Sequence, residues 1–314
     1  MITEIPGVQV GHWTDAGART GCTAIVFPHR ARASGEVRGG APATREWDLL
    51  VPGRRVERID VVMLAGGSAF GLAACDGAMR WCEEQGRGHP TFAGPVPIVV
   101  GAALFDLLRS DASVRPGADA GYAACAAAGG GPFGLGAVGA GTGAMVDKWR
   151  GFDHARPAGI GSVVERDGEI VVGALLAVNA FGGVLEPGAA RPPVSELVVG
   201  GGPIENTTIG VVATNAALDK AACRLVAESA HAGLARALEP VATTLDGDAI
   251  VAASTGAVAE APLERVRMLA ARASSKQCEP PSMREAERPG EHRRRGAGSA
   301  EPRAPRAAYS SSSR

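Results

Sequence analysis

Four short stretches hold the residues that could do chemistry. The first is "IENTTIGVVATN" (204–215), with Asn206, Thr207 and Thr208 in a row. A threonine hydroxyl is a poor nucleophile unless a base is adjacent. If the bond before Thr207 were cut, the new α-amino group would supply that base, with a pKa of about 8, on the same residue as the hydroxyl. Such a cut runs through attack of the Thr207 hydroxyl on the Asn206 carbonyl (an N→O acyl shift), followed by ester hydrolysis. A strained turn ahead of a rigid strand could hold that bond. "GGGPIEN" supplies the approach and "TIGVVAT" the strand. The same residues are also a formal N-glycosylation sequon and an ordinary strand entry, and local sequence alone favours strand entry.

The second stretch, "GLGAVGAGTGAMVDKW" (134–149), ends on Lys148, one of three lysines in a chain that otherwise uses arginine. Such a run of glycine costs chain entropy unless the backbone approaches something closely. A lysine delivered by it is either a surface residue or a compact cation that lowers a neighbour's pKa or serves an oxyanion. The third, "GALLAVNAFGG", places Asn179 at a strand end, as a turn residue or as an oxyanion donor, and local sequence favours the turn. The fourth, "LDGD", sets Asp246 and Asp248 around Gly247. That is either a β-turn or two carboxylates able to hold an ammonium, pointing the same way if the strand has begun.

Other motifs carry less. "GGSAFG" (66–71) lacks the second glycine of a nucleophile elbow, because Phe70 stands there. Ser68 reads as the N-cap of the following helix. "GLGAVG" (134–139) has the G-x-G-x-x-G pattern without a preceding strand or a later acidic partner, so dinucleotide binding is not expected. None of the six histidines sits in a convincing catalytic context, and His231, inside a helix, reads as packing or surface.

These residues need a scaffold, and periodicity supplies one. "IDVVML" (59–64) reads as a strand running into "SAFGLAACDGAMRWCEEQG", a helix ending at Gly86. "GIGSVVERDGEIVVGALLAVN" (159–179) is a hairpin about Asp167-Gly168. "TIGVVAT" and "DGDAIVAAST" read as strands, "ALDKAACRLVAESAHAGLARAL" (217–238) as an amphipathic helix and "LERVRMLAARAS" as another. A strand-rich middle between helices points to a layered α+β sandwich rather than a doubly wound sheet.

Composition bounds the rest. Of 314 residues 46% are hydrophobic, 4% aromatic and 44 are glycine, so the core must be Ala, Val, Leu and Ile. A formal net charge of −1 gives no footing for nucleic acid or an anionic membrane. No apolar run is long enough to span a bilayer. "MITEIPGVQVGHW" lacks a signal-peptide pattern, and the six scattered cysteines read as buried reduced thiols, so a cytoplasmic location is expected and the sequon loses its route. From about residue 273 the sequence turns Pro/Arg/Ser/Gly-rich, so 274–314 is expected to be a disordered tail. Its Arg293-Arg294-Arg295 reads as solvated rather than as a nucleic-acid contact.

Together, "IPGVQVGHWTDAGARTGCTAIVFP", "EVRGGAPATREWDLL", "VVMLAGGSAFGLAACDGAMRW", "GAGTGAMVDK", "GALLAVNAFGGV", "NTTIGVVATNAAL" and "LDGDAIVAAS" resemble the DmpA / β-aminopeptidyl peptidase family over residues 5–270. That family holds the self-processing L-aminopeptidase/D-esterases and the nylon-oligomer hydrolases. The resemblance implies a four-layer α-β-β-α sandwich and cleavage at Asn206–Thr207 into a large subunit (1–206) and a small one (207–314). It implies Thr207 as nucleophile, with Lys148 and Asn179 as activating and oxyanion-stabilising neighbours and Asp246 and Asp248 holding the nucleophile's amine. It implies a short peptide, amino-acid amide or ester as substrate, no metal or organic cofactor, and a homo-oligomer, a tetramer of processed pairs. Asp147, beside the motif lysine, departs from the family's small residue and is expected to alter the Lys148 pKa. The sequence after "LERVRMLAARAS" also departs. The alternative is an unprocessed, catalytically weak member that binds a small molecule or serves a structural role.

Overall fold

Short apolar runs form strands here because they are buried on both faces, so they read as continuous rather than alternating hydrophobic segments. The computed structural model describes residues 1–185, 191, 193–197 and 206–278, all within the unit Met1–Glu279. Nine strands make one sheet: β1 (Gln9–Asp15), β2 (Thr20–Val37), β3 (Ala43–Arg45), β4 (Arg58–Ala65), β5 (Val99–Ala103), β6 (Gly159–Asp167), β7 (Ile170–Asn179), β8 (Thr207–Ala216) and β9 (Ala249–Val258). Their order is β6-β7-β8-β9-β2-β4-β5-β3, with β1 on β2. The β8–β9 and β4–β5 pairs are parallel.

The 18-residue β2 divides this sheet in two. Its Arg32–Val37 end pairs with β9, its Cys22–Val26 end with β4, and the register breaks between Val26 and Ala31. The inner faces of both halves share a central core, with Leu175 and Ala177 of β7 and Ile209 and Val211 of β8 meeting Val62 and Leu64 of β4. The outer face of the β6–β9 half, including Val172, Ala174 and Leu176, is covered by α3 (Lys220–Ala237) and α4 (Leu263–Cys278). The outer face of the other half, including Val61 and Met63, is covered by α1 (Ala74–Glu84) and α2 (Ala118–Ala126). The layers therefore run α-β-β-α, as expected. Each fully buried Val, Leu or Ile contributes roughly 1.5–3 kcal/mol. Pairing in this register, with Asn179 opposite Thr207 on neighbouring strands, is thus strongly specified.

Local signals explain the ends. Asp219 caps α3 by accepting from the Ala222 N–H at 2.7 Å. The β6–β7 hairpin turns at Gly168, whose φ of +59° suits a glycine. Two readings are corrected. Ser68 is not an N-cap: Gly67 caps a 3-10 turn over Ser68–Ala73 with no side-chain bond, and α1 begins only at Ala74. The last helix runs to Cys278, into the stretch assigned to the tail, because Ser274 and Gln277 are buried and the Gln277 amide donates to the Leu176 carbonyl at 3.2 Å. The rest of that tail, with Arg293-Arg294-Arg295, lies outside the described residues, as does the "GGGPI" approach to Asn206. All six cysteines are buried and none forms a disulfide among the described residues, and no helix among the described residues is long and apolar enough to cross a membrane.

Candidate active site

Thr207 opens β8 and is only 4% exposed. Asn206, just before it, bridges to Asp246 in the loop ahead of β9. The Asn206 N–H donates to the Leu245 carbonyl at 3.0 Å, and the Asn206 carbonyl accepts from the Gly247 N–H at 2.8 Å. The Thr207 hydroxyl donates to that same Asn206 carbonyl oxygen. One carbonyl thus has a backbone donor on it and a hydroxyl beside it. Gly247 can approach so closely because it lacks a side chain: a Cβ there would lie 2.8 Å from Thr207 Oγ1 and 2.6 Å from the Ala41 carbonyl oxygen.

The two aspartates both lie before the strand, which starts at Ala249. Asp248 is fully buried. Its Oδ1 accepts from the Thr208 N–H at 2.6 Å and its Oδ2 from the Ala242 N–H at 3.1 Å. Asp246 accepts from the Phe181 N–H at 3.1 Å through Oδ1, and from the Thr243 N–H and hydroxyl at 2.9 and 2.5 Å through Oδ2. Burial and the neighbouring Asp246 push the Asp248 carboxyl up to about 7, against the pull of its two backbone donors.

Lys148 is no surface lysine. It is 3% exposed, and its Nζ donates to the Asn179 carbonyl and to Asn179 Oδ1 at 2.9 and 3.0 Å. Burial pulls the ammonium down to about 7, opposed by Asp246 and Asp248. Asp147, expected to act on it, is not one of the groups that set its pKa. That carboxylate turns away into an ion pair with Arg156. Asn179 is not a turn residue either: it is the last residue of β7. Its Oδ1 also accepts from the Met145 N–H at 3.0 Å, which fixes the amide's orientation, and its Nδ2 donates to the Phe105 carbonyl at 2.8 Å. One Nδ2 hydrogen remains for another acceptor.

Lys148, Asn179, Thr207, Asp246 and Asp248 are therefore drawn together from four separate parts of the chain. A narrow cleft ends on Lys148 and Asn179, with Phe105, Leu108, Arg109 and Phe152 further out. The Gly247 N–H, the Thr243 N–H and the Phe105 carbonyl had no sequence signal, since main-chain groups look alike along the chain. Thr20 and Asp106 pair beside the cleft at 2.8 Å and also escaped notice. "GLGAVG" forms no dinucleotide loop: Gly136 bridges to Ile160, and only a three-residue 3-10 turn, Gly139–Gly141, follows. His231 packs inside α3, with its Nε2 3.0 Å from the Glu36 carbonyl oxygen.

The model of peptidase family S58 matches residues 1–282. The chain belongs to that family. This bears out the resemblance carried by the sequence blocks, and it makes the protein a peptidase-family hydrolase. Among S58 relatives, an uncharacterized aminopeptidase of Mycobacterium tuberculosis is 42% identical, over 83% of each chain. A 6-aminohexanoate-oligomer endohydrolase of Paenarthrobacter ureafaciens is 28% identical over 80% of this chain and 74% of that one. Of solved structures, a Burkholderia sp. beta-aminopeptidase superposes with a TM-score of 0.67 at 23% identity, over 88% of this chain and 84% of that one. The L-aminopeptidase D-ala-esterase/amidase of Ochrobactrum anthropi, described as a variant of the Ntn hydrolase fold, gives 0.66 at 19% identity over the same shares. These two share the S58 chain's fold.

Proposed function

We propose that this S58 chain cuts itself between Asn206 and Thr207 and then works as an aminopeptidase or amidohydrolase with Thr207 as nucleophile. The observation that carries the reading is the Asn206 carbonyl, which accepts from Gly247 at 2.8 Å while the Thr207 hydroxyl lies beside it. In the first step Thr207 Oγ adds to the Asn206 carbonyl carbon, and its proton passes to a base. Lys148, buried and drawn to about 7, is available as the neutral amine for this. The oxyanion on Asn206 is held by the Gly247 N–H. Collapse expels the Thr207 nitrogen with a proton and leaves an ester. Water then yields an Asn206 carboxylate and a free Thr207 amine and hydroxyl.

The charges favour that product. Two buried carboxyl groups, Asp246 and Asp248, lie beside the new Thr207 amine, and carboxylate charge there attracts it as an ammonium. Asp248, already bonded to the Thr208 N–H, is one residue from that ammonium. In turnover Thr207 Oγ attacks the substrate carbonyl, its own amine takes the proton, and an acyl-enzyme is hydrolysed. Asn179, through its remaining Nδ2 hydrogen, and the Gly247 N–H serve the oxyanion.

The substrates we propose are short peptides, amino-acid amides or esters with a free amino end, the chemistry that the relatives' names describe. We further propose assembly as a homo-oligomer of processed pairs. Release of the chromophore from a panel of aminoacyl p-nitroanilides tests the activity. Hydrolysis by wild type and none by Thr207→Ala supports the proposal, and equal hydrolysis by both contradicts it.

A further inference from the structure

The cleft that ends on Lys148 and Asn179 has an outer end of different character. Lys148 and Asn179 are buried, whereas Phe105 and Phe152 are half-buried and Leu108 and Arg109 exposed. The Arg109 guanidinium lies over the Phe152 ring, 4.7 Å from its centroid. Among the described residues no carboxylate pairs with it. The two acids nearest in sequence are engaged elsewhere: Asp111 Oδ1 accepts from the Ser113 N–H at 2.9 Å and the Ser113 hydroxyl at 2.6 Å, while Asp106 Oδ1 accepts from the Gly67 N–H at 2.7 Å and its Oδ2 from the Thr20 hydroxyl at 2.8 Å.

Asp106 also fixes the turn that carries Arg109. Its carbonyl accepts from the Arg109 N–H at 3.1 Å, the Ser110 N–H at 3.2 Å and the Ser110 hydroxyl at 2.8 Å. The backbone under Arg109 is thus held from two sides while its cation lines the cleft. A planar guanidinium resting on an aromatic shelf is pre-organised for a planar anion, which it can grip with two parallel N–H donors. The end of a substrate that reaches Arg109 is therefore favoured when it is negative.

We propose that Arg109 binds the free carboxylate of the substrate, so that this chain prefers short peptides or amino-acid oligomers ending in a free carboxylate over the matching amides. The inference rests on the reading of this cleft as the substrate site of Thr207.

The test compares kcat/KM for alanyl-alanine and alanyl-alaninamide. Wild type is expected to favour the acid by about tenfold, the size of one charge-assisted bond at a partly solvated site. In Arg109→Ala the ratio falls to about one, chiefly through a higher KM for the acid. Arg109→Lys, which keeps the charge but loses the fork, falls between. An Arg109→Ala ratio equal to that of wild type overturns the proposal. Calorimetric titration of the full-length Thr207→Ala chain with the same two dipeptides separates this from the nucleophile assignment. Binding selective for the carboxylate, and lost when Arg109→Ala is added, supports the subsite even if Thr207 is not the nucleophile. Binding indifferent to the carboxylate overturns it whatever the nucleophile.

Discussion

Lys148 is bonded twice to Asn179, through the main-chain carbonyl at 2.9 Å and the side-chain Oδ1 at 3.0 Å, and Asn179 stands opposite Thr207 across the β7–β8 pairing. A buried amine is thereby tied to the residue facing the proposed nucleophile. Lys148→Met, which keeps the stem and removes the amine, is expected to slow self-cleavage by a factor of about 100 or more. Lys148→Arg should not restore it, because a guanidinium remains charged and cannot accept the proton. A time course on denaturing gels reads both, and cleavage of Lys148→Met at the wild-type rate contradicts the role.

The same amine sets the pH dependence. Burial lowers its pKa to about 7, so the neutral form grows as pH rises through that value. Self-cleavage of freshly made precursor should therefore speed up from pH 6 to pH 8 and then level off. A rate that falls over this interval would assign the proton acceptor elsewhere.

Gly247 is predicted to be irreplaceable. In Gly247→Ala the new methyl meets both Thr207 Oγ1 and the Ala41 carbonyl, which moves the N–H off the Asn206 oxygen. Loss of one oxyanion donor costs about 100-fold to 1000-fold in rate. Intact Gly247→Ala precursor, accumulating with a cooperative thermal transition, is the expected outcome. Full processing of this variant would remove Gly247 from the chemistry.

His231 makes a separate prediction about stability. Burial lowers its pKa from 6.5 to about 4, with Arg38 and Arg224 acting in the same direction and the Glu36 carbonyl opposing them. A group depressed in the folded state stabilises fully above its unfolded pKa, and that contribution is lost as pH falls through the folded value. Stability should thus decline between pH 6.5 and 4, by up to about 3 kcal/mol from this residue. Burial raises the pKa of Asp60 and Asp106, which opposes that trend, so the comparison with His231→Gln isolates the histidine. Urea denaturation at pH 7, 5 and 4 should give a shallower loss in the variant, whereas parallel curves contradict the assignment.

Much of this was legible in the residues. The strands announce themselves as apolar runs, the β6–β7 hairpin by Asp167-Gly168, and α3 by its amphipathic period. Lys148, Asn179, Thr207, Asp246 and Asp248 stand out only as members of a pattern, since each alone has a bland reading. What stayed hidden depends on tertiary contact. Ser68 looked like a cap because serine favours that position, yet its N–H is taken by the Leu104 carbonyl. Asp147 looked like a modulator of Lys148, yet Arg156 claims it. Helix α4 outran its composition because Gln277 finds a carbonyl on β7. The Gly247 N–H has no signature, because every non-proline residue carries the same group.

Intact-mass spectrometry of the purified chain, left to mature at pH 8 in water enriched in oxygen-18, reads the Asn206–Thr207 bond itself. Self-cleavage gives two masses whose boundary lies between Asn206 and Thr207, with one heavy oxygen on the new Asn206 carboxylate, and leaves a single uncut mass for Thr207→Ala. A wild-type chain that stays at full-length mass for days, or is cut at another bond, would contradict it.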